Sequence, residues 1–180
     1  VENAVSGDAF RPGDILKSRK GLSVEVGNTD AEGRLILADA LTYAVELGAE
    51  RLVDLATLTG AVTIALGSTY AALVSNDDAL AEQVFAAGAE SGELVWRLPL
   101  HPEYKELMKG TVADLSNLAS QRKAGTITAA SFLEEFVDEV PWAHVDIAGT
   151  AWDLGREYVG KNANGYGVRL LVELARHLSA

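Results

Sequence analysis

The 180-residue sequence contains no cysteine, which excludes disulfide bonds, thiolate metal ligands and a thiol nucleophile. Its three histidines lie far apart, so the i, i+4 pair of a zinc-binding helix is absent. No apolar run reaches the length of a membrane span. The net charge of -11 disfavours binding to nucleic acid or anionic membranes, because phosphate contacts need clustered Lys and Arg. We therefore expect no nucleic acid and no membrane among the partners.

The overall composition is typical of a globular protein. Hydrophobic residues make up 48% of the chain and charged residues 23%. A chain of this length is long enough to form one domain with a real core. The sequence begins with Val-Glu-Asn instead of methionine, and Val1 reads as the end of a strand. We therefore expect the chain to be a fragment of a longer protein.

Predicted strands and helices alternate along the chain. The apolar patterns predict strands over 22–26, 51–56, 70–75, 95–98 and 142–147. They predict helices over 34–48, 61–66, 77–88, 101–109, 129–140 and 168–178. Residues 1–20 read as a loop, and residues 111–126 form the longest irregular stretch, a length more typical of a functional loop. The alternation predicts an α/β fold with a mainly parallel sheet and helices on both faces.

The most informative stretch is residues 28–35, NTDAEGRL, called the signature below. Asp30, Glu32 and Arg34 lie where a predicted strand gives way to a helix, the sheet edge at which open α/β folds bind ligands. In an extended turn, residues two apart project the same way, so the two carboxylates and the guanidinium would converge. The plainer alternatives are that Asn-Thr-Asp caps the helix, and that Arg34 pairs with Glu32 on a solvated face.

NTDAEGRL resembles the signature of the leucyl aminopeptidases, the two-metal cytosolic aminopeptidases of the M17 type, and the resemblance covers essentially the whole chain. It implies a three-layer α/β/α domain with a mainly parallel central sheet. Residues 1–180 would be the C-terminal portion of this single catalytic domain, without its N-terminal strands and without the family's N-terminal domain. It also implies a cytoplasmic, homo-hexameric metalloprotease that releases Leu-like amino-terminal residues from peptides, with a metal-bound water as nucleophile.

The resemblance assigns roles to the three charged residues of the signature. Asp30 and Glu32 are expected to bind two divalent metal ions, Mn or Zn, or else Mg or Co, because ligand type alone does not select among them. Arg34 is expected to be catalytic, holding a bicarbonate ion that takes the proton from the attacking water. A guanidinium has no lone pair for a metal, whereas it can grip an anion with two hydrogen bonds.

Two further segments extend the resemblance, DLATLTG at 54–60 and DIAG at 146–149. In the family these segments line the substrate groove, and small residues in the second one leave room for a bulky apolar side chain. Without the resemblance, the first segment would be interpreted as a strand followed by a glycine turn. The implied substrate-binding residues are Thr57, Leu58, Gly60, Ala148 and Ala151.

The expected active site is incomplete in this sequence. The family completes its metal site with a lysine and two further aspartates and uses a second lysine in catalysis, in an upstream pattern that does not occur here. We therefore expect the isolated fragment to be inactive. The alternative from a different class is a catalytically silent assembly or interaction domain with the same fold.

Overall fold

The computed structural model describes residues 6–152 and 161–179, so the strand end expected at Val1 lies outside the described residues. The chain divides into two compact units. The first unit comprises Val1–Leu52 and Leu100–Val140, and the second comprises Val53–Pro99 and Pro141–Ala180. Within the described ranges, no helix is both long enough and apolar enough to cross a membrane.

The secondary structure of the described residues is as follows. The strands are β1 (Ile15–Lys17), β2 (Ser23–Glu25), β3 (Leu52–Ala56), β4 (Ala71–Ser75), β5 (Val95–Arg97), β6 (Leu115–Ser116) and β7 (Trp142–Asp146). The helices are α1 (Glu32–Glu46), α2 (Ala61–Leu66), α3 (Asp78–Ser91), α4 (Pro102–Glu106), α5 (Gly125–Glu134) and α6 (Val168–Ser179).

The first unit contains a small three-stranded sheet in the order β1-β2-β6. β1 runs antiparallel to β2, and β6 pairs with β2 in parallel. Helix α5 packs against both α1 and α4. Two of these strands contradict the predicted loops, because β1 lies within residues 1–20 and β6 within residues 111–126. Strands of two or three residues are too short for an alternating pattern to show, and their partners are distant in the sequence.

The second unit contains a four-stranded sheet in the order β3-β7-β4-β5. β4 and β5 run parallel and are joined by α3, which is a standard crossover connection. Helices α3 and α6 pack together, and their apolar residues bury the face formed by β4 and β7. The core cluster consists of Ala71, Leu73, Leu80, Ala81, Val84, Ala87, Val95, Ala143, Val145, Leu170 and Leu174.

The predicted α/β class is confirmed, but the strand pairing is more mixed than a mainly parallel sheet. β7 pairs antiparallel with β4, and the strands divide between two sheets. The alternation of strands and helices predicts the class because each strand needs a covering helix. It does not say which strands become neighbours. β7 follows the long excursion of residues 100–140 and then inserts between β3 and β4, which no local pattern indicates.

Helix α5 ends at Glu134, six residues before the predicted end at 140. Beyond it, the backbone closes into tighter turns, in which Phe136 N donates to Leu133 O at 2.9 Å. Asp138 then adopts a φ of 51°, which a right-handed helix cannot contain. The apolar pattern continues past the helix end because Phe136 and Val137 are buried in non-helical geometry.

Candidate functional site

The predicted site residues fall in both units. Asp30, Glu32 and Arg34 belong to the first unit, whereas the five predicted substrate-binding residues belong to the second.

Helix α1 begins at Glu32, two residues earlier than predicted, so Glu32 and Arg34 lie in its first turn. Residues two apart on a helix do not face each other, and the prediction of an extended turn that aligns them is wrong. The early start has a physical reason, since a carboxylate in the first turn is stabilised by the positive end of the helix dipole. Asp30 lies in the turn that precedes the helix.

The turn before α1 presents Asp30 to solvent. Asp30 is exposed, whereas Glu32 and Arg34 are half-buried. The residue at the N-cap is Ala31, with no side-chain capping bond, so the hypothesis that Asn-Thr-Asp serves as a cap is wrong. Asn28 instead folds the turn, because its Oδ1 accepts a hydrogen bond from Asp30 N at 3.0 Å. The Asp30 carboxylate is thereby not used in holding the helix end.

Asn117 holds the backbone on both sides of Asp30. Its Oδ1 accepts from Gly27 N at 2.8 Å and from Asn28 N at 3.2 Å. Its Nδ2 donates to Asn28 O at 2.7 Å and to Ala31 O at 3.4 Å. Asn117 is completely buried, and these four hydrogen bonds of its side-chain amide go to the signature and the residue before it. This side chain fixes the position from which Asp30 and Glu32 project.

Sequence reasoning missed Asn117. It lies within the stretch 111–126, which was expected to be functional because of its length, but one asparagine in a polar loop carries no distinguishing pattern. Its partners precede it by 86 to 90 residues, so no local spacing indicates the contact.

In the second unit, Asp146 joins the two segments predicted to bind substrate. Asp146 is the last residue of β7 and is completely buried. Its Oδ1 accepts from Leu58 N at 3.1 Å and from Ala148 N at 3.2 Å. Its Oδ2 accepts from Thr59 Oγ1 at 2.5 Å. Leu58 and Ala148 are therefore brought together around one carboxylate.

The remaining predicted residues of the second unit lie around this junction. Thr57 and Gly60 are exposed, and Ala151 is half-buried. Ala151 N donates to Ile147 O at 2.9 Å, which places it one turn after β7.

Gly149 and Gly60 differ in whether the surrounding structure leaves space for a side chain. A Cβ at Gly149 would lie 2.3 Å from Gly67 O, so the close approach of two backbones excludes any side chain. At Gly60 the backbone has an ordinary φ of -65°, and no described atom lies within 4 Å of a Cβ built there. The fold of the described residues does not require glycine at 60, which leaves its exposed backbone accessible to a ligand.

A buried charged pair links the neighbouring strands β3 and β7. His144 Nδ1 and Asp54 Oδ1 are 2.6 Å apart, and Trp142 Nε1 donates to Asp54 Oδ2 at 2.7 Å. His144 is completely buried, which by itself would lower its pKa. The charge and hydrogen bond of Asp54, with the charge of Asp146, outweigh burial and raise the His144 pKa above its ordinary value.

We expect this pair to make the stability of the chain depend on pH. A histidine whose folded pKa is raised binds its proton more tightly in the folded state, so its contribution is complete below the unfolded pKa of about 6.5. That contribution is lost as the pH rises through the higher folded pKa. We expect the free energy of unfolding, measured with urea, to fall above neutral pH by up to about 1.4 kcal/mol per pH unit.

The other two histidines provide the control for this measurement. A double variant His101→Gln and His177→Gln should keep the slope, because neither residue belongs to the buried pair. Asp54→Asn should flatten it by removing the charge that raises the His144 pKa. A wild-type stability that is constant from pH 6 to 9 would contradict this assignment.

The described residues do not form a complete metal site by themselves. No group of three or more His, Asp or Glu side chains within 6–152 and 161–179 is placed to hold a metal ion. Asp30 and Glu32 supply hard carboxylate oxygens, which suit divalent cations. Tetrahedral or octahedral coordination nevertheless needs four to six ligands around each ion. The donor set therefore fits such ions as two ligands, not as a full shell.

Residues 1–172 match the cytosol aminopeptidase family, catalytic domain. The chain belongs to this family. It is 54% identical over 178 residues to a probable cytosol aminopeptidase of Alkaliphilus oremlandii, covering 98% of this chain and 36% of that protein. Its identity to the probable cytosol aminopeptidase of Trichormus variabilis is 56% over 174 residues, covering 96% and 35% of the two chains.

A probable cytosol aminopeptidase of Ehrlichia ruminantium is likewise 56% identical over 175 residues, covering 95% of this chain and 35% of that protein. The chain spans about a third of the length of these relatives. The resemblance inferred from NTDAEGRL is thereby confirmed at the level of the family.

Proposed function

We propose that this chain forms part of a two-metal aminopeptidase that removes amino-terminal residues from peptides. The activity is proposed for a protein of the relatives' full length that contains this chain, called the full-length protein below. The observation that supports the proposal is the way in which hydrogen bonds hold the turn of the signature. Asn117 fixes the backbone on both sides of Asp30 with four hydrogen bonds, and the Asp30 carboxylate is left exposed.

The roles proposed for the signature residues follow from their chemistry. Asp30 and Glu32 contribute oxygen ligands to two divalent ions, Mn or Zn, or else Mg or Co. Such ions, when bound, polarise a peptide carbonyl and lower the pKa of an attacking water. Arg34 holds an anion, for which we propose bicarbonate, in a bidentate grip and thereby orients a proton acceptor.

Substrate recognition is proposed for Thr57, Leu58, Gly60, Ala148 and Ala151. The backbone of an exposed glycine can approach a peptide closely, and small alanine side chains leave space for an apolar, Leu-like residue. The proposal includes a cytoplasmic location and a homo-hexameric assembly of the full-length protein. Hydrolysis of Leu-p-nitroanilide by that protein, abolished by a chelator and restored by Mn²⁺, is the direct test of the function.

The 180 residues alone should not hold a tight pair of metal ions or hydrolyse peptides. Two carboxylates from one turn leave most coordination positions to water, so binding should be weak. Calorimetric titration of the chain with MnCl₂ or ZnCl₂ is expected to give no stoichiometric two-site isotherm, and the double variant Asp30→Asn and Glu32→Gln should give nearly the same trace. Stoichiometric binding of two ions together with turnover of Leu-p-nitroanilide would show that this chain holds the complete site.

A further inference from the structure

We propose that Asp146 is a positioning residue that sets the direction of the backbone carbonyls in the substrate-binding segment 57–60. The proposal rests on the proposed function, because it concerns how the same site binds a peptide. In the sequence, Asp146 is the first residue of the DIAG segment and carries no predicted role of its own. The structure gives it more hydrogen bonds than any residue to which a substrate role was assigned.

The carboxylate of Asp146 is engaged in hydrogen bonds that hold two segments of the chain together. It is completely buried, and its two oxygens accept from the backbone N–H groups of Leu58, Thr59 and Ala148 and from the Thr59 hydroxyl. A buried carboxylate is costly unless several donors satisfy it, and here four donors do so. Both of its oxygens are thereby engaged in holding the backbone and the Thr59 hydroxyl.

The direction of these hydrogen bonds fixes the direction of the carbonyl groups on the opposite side of the segment. In a trans peptide, the N–H and the C=O of one peptide unit point in opposite directions. Leu58 N and Thr59 N both point at Asp146 Oδ1, at 3.1 and 3.4 Å. The carbonyl oxygens of Thr57 and Leu58, which belong to the same two peptide units, therefore point away from Asp146.

Two successive carbonyls with one orientation form a pair of hydrogen-bond acceptors. The ligand chemistry that matches them is an N–H donor, which a peptide offers in its α-amino group and its backbone amides. Asp146 also accepts a hydrogen bond from Ala148 N, so the same carboxylate holds the segment at 146–149 next to the segment at 57–60. Its role is to hold this geometry before the peptide arrives, which lowers the cost of ordering the site on binding.

The first test uses Thr59 in the full-length protein, because its substitutions are nearly isosteric. Thr59→Val removes the hydroxyl that donates to Asp146 Oδ2, whereas Thr59→Ser keeps it. We expect Thr59→Val and Asp146→Asn to raise KM for Leu-p-nitroanilide on the order of tenfold, the factor for one hydrogen bond to a charged group, with a smaller change in kcat. Thr59→Ser should retain a KM close to that of the wild type. An unchanged KM in Thr59→Val, or a loss confined to kcat, would overturn the proposal.

Amide hydrogen exchange provides a readout that does not depend on activity. In Asp146→Asn the amides of Leu58 and Ala148 should exchange faster, while those in α3 should keep their wild-type rates. Should Asp146→Asn fail to fold, the Leu58 amide is compared between Thr59→Val and Thr59→Ser instead. An inactive wild-type protein would refute the proposed function, and the exchange data would still decide the role of Asp146. Unchanged exchange at Leu58 and Ala148 would refute that role whatever the activity.

Discussion

Replacing Glu32 with alanine in the full-length protein should nearly abolish hydrolysis of Leu-p-nitroanilide. Glu32 lies in the first turn of α1, directly after the turn that Asn117 holds, and it is one of only two carboxylates in the signature. Losing one of the two proposed carboxylate ligands removes charge stabilisation of several kcal/mol, so kcat/KM should fall on the order of 10³-fold or more. Steady-state kinetics and the metal content of the purified variant measure the two consequences.

The control for Glu32→Ala is Glu82→Ala, the same substitution at an exposed position of α3. It should keep wild-type kinetics and metal content, because Glu82 lies outside the proposed site. Thermal unfolding of both variants separates a local loss of ligand from a general loss of structure. If Glu32→Ala retained activity within a few-fold of the wild type, the role of the signature in metal binding would be untenable.

Arg34→Ala should impair the chemical step while leaving the metal content unchanged. A guanidinium offers donors and no lone pair, so Arg34 acts on an anion and not on a cation. A positioned proton-transfer system contributes on the order of 10²- to 10⁴-fold, and kcat should fall by that factor. Added bicarbonate should not restore the rate, since the guanidinium that would bind it is missing. Measurements of kcat and of the metal content of the same purified preparations check both statements.

Two further substitutions define what Arg34 does. Arg34→Lys keeps the positive charge but lacks the planar fork of the guanidinium, so it should recover only part of the rate. Arg122→Ala removes an exposed arginine of the 111–126 stretch and should have no effect. Loss of metal from Arg34→Ala would instead make Arg34 a residue that supports the metal-binding turn.

The sequence predicted those parts of the fold that depend on local patterns. Helix α6 spans Val168–Ser179 and β7 spans Trp142–Asp146, each within a residue of the prediction. The helix has a clear amphipathic pattern, and the short strand begins directly after Pro141. The short strands β1 and β6 were missed because their stability comes from pairing with β2 and not from their own two or three residues. The antiparallel entry of β7 beside β4 was missed for the same reason.

The candidate site divides in the same way. Asp30, Glu32 and Arg34 could be named from eight consecutive residues, because the signature is contiguous. The residues that position them or the proposed substrate segments, Asn117 and Asp146, act over 86 to 90 residues in the first case and 87 or 88 in the second. Hydrogen bonds at such separations leave no period or spacing in the sequence, so only the structure reveals them.

The brace formed by Asn117 also has a consequence for the order of events during synthesis. The turn that carries Asp30 cannot acquire its four hydrogen bonds until a residue 86 to 90 positions later has left the ribosome. At about 5 to 20 residues per second, the signature waits roughly 4 to 18 s without its brace. During that interval its carboxylates belong to a nascent chain that cannot yet present them in their final geometry, so we expect the metal binding proposed for them to follow the synthesis of Asn117.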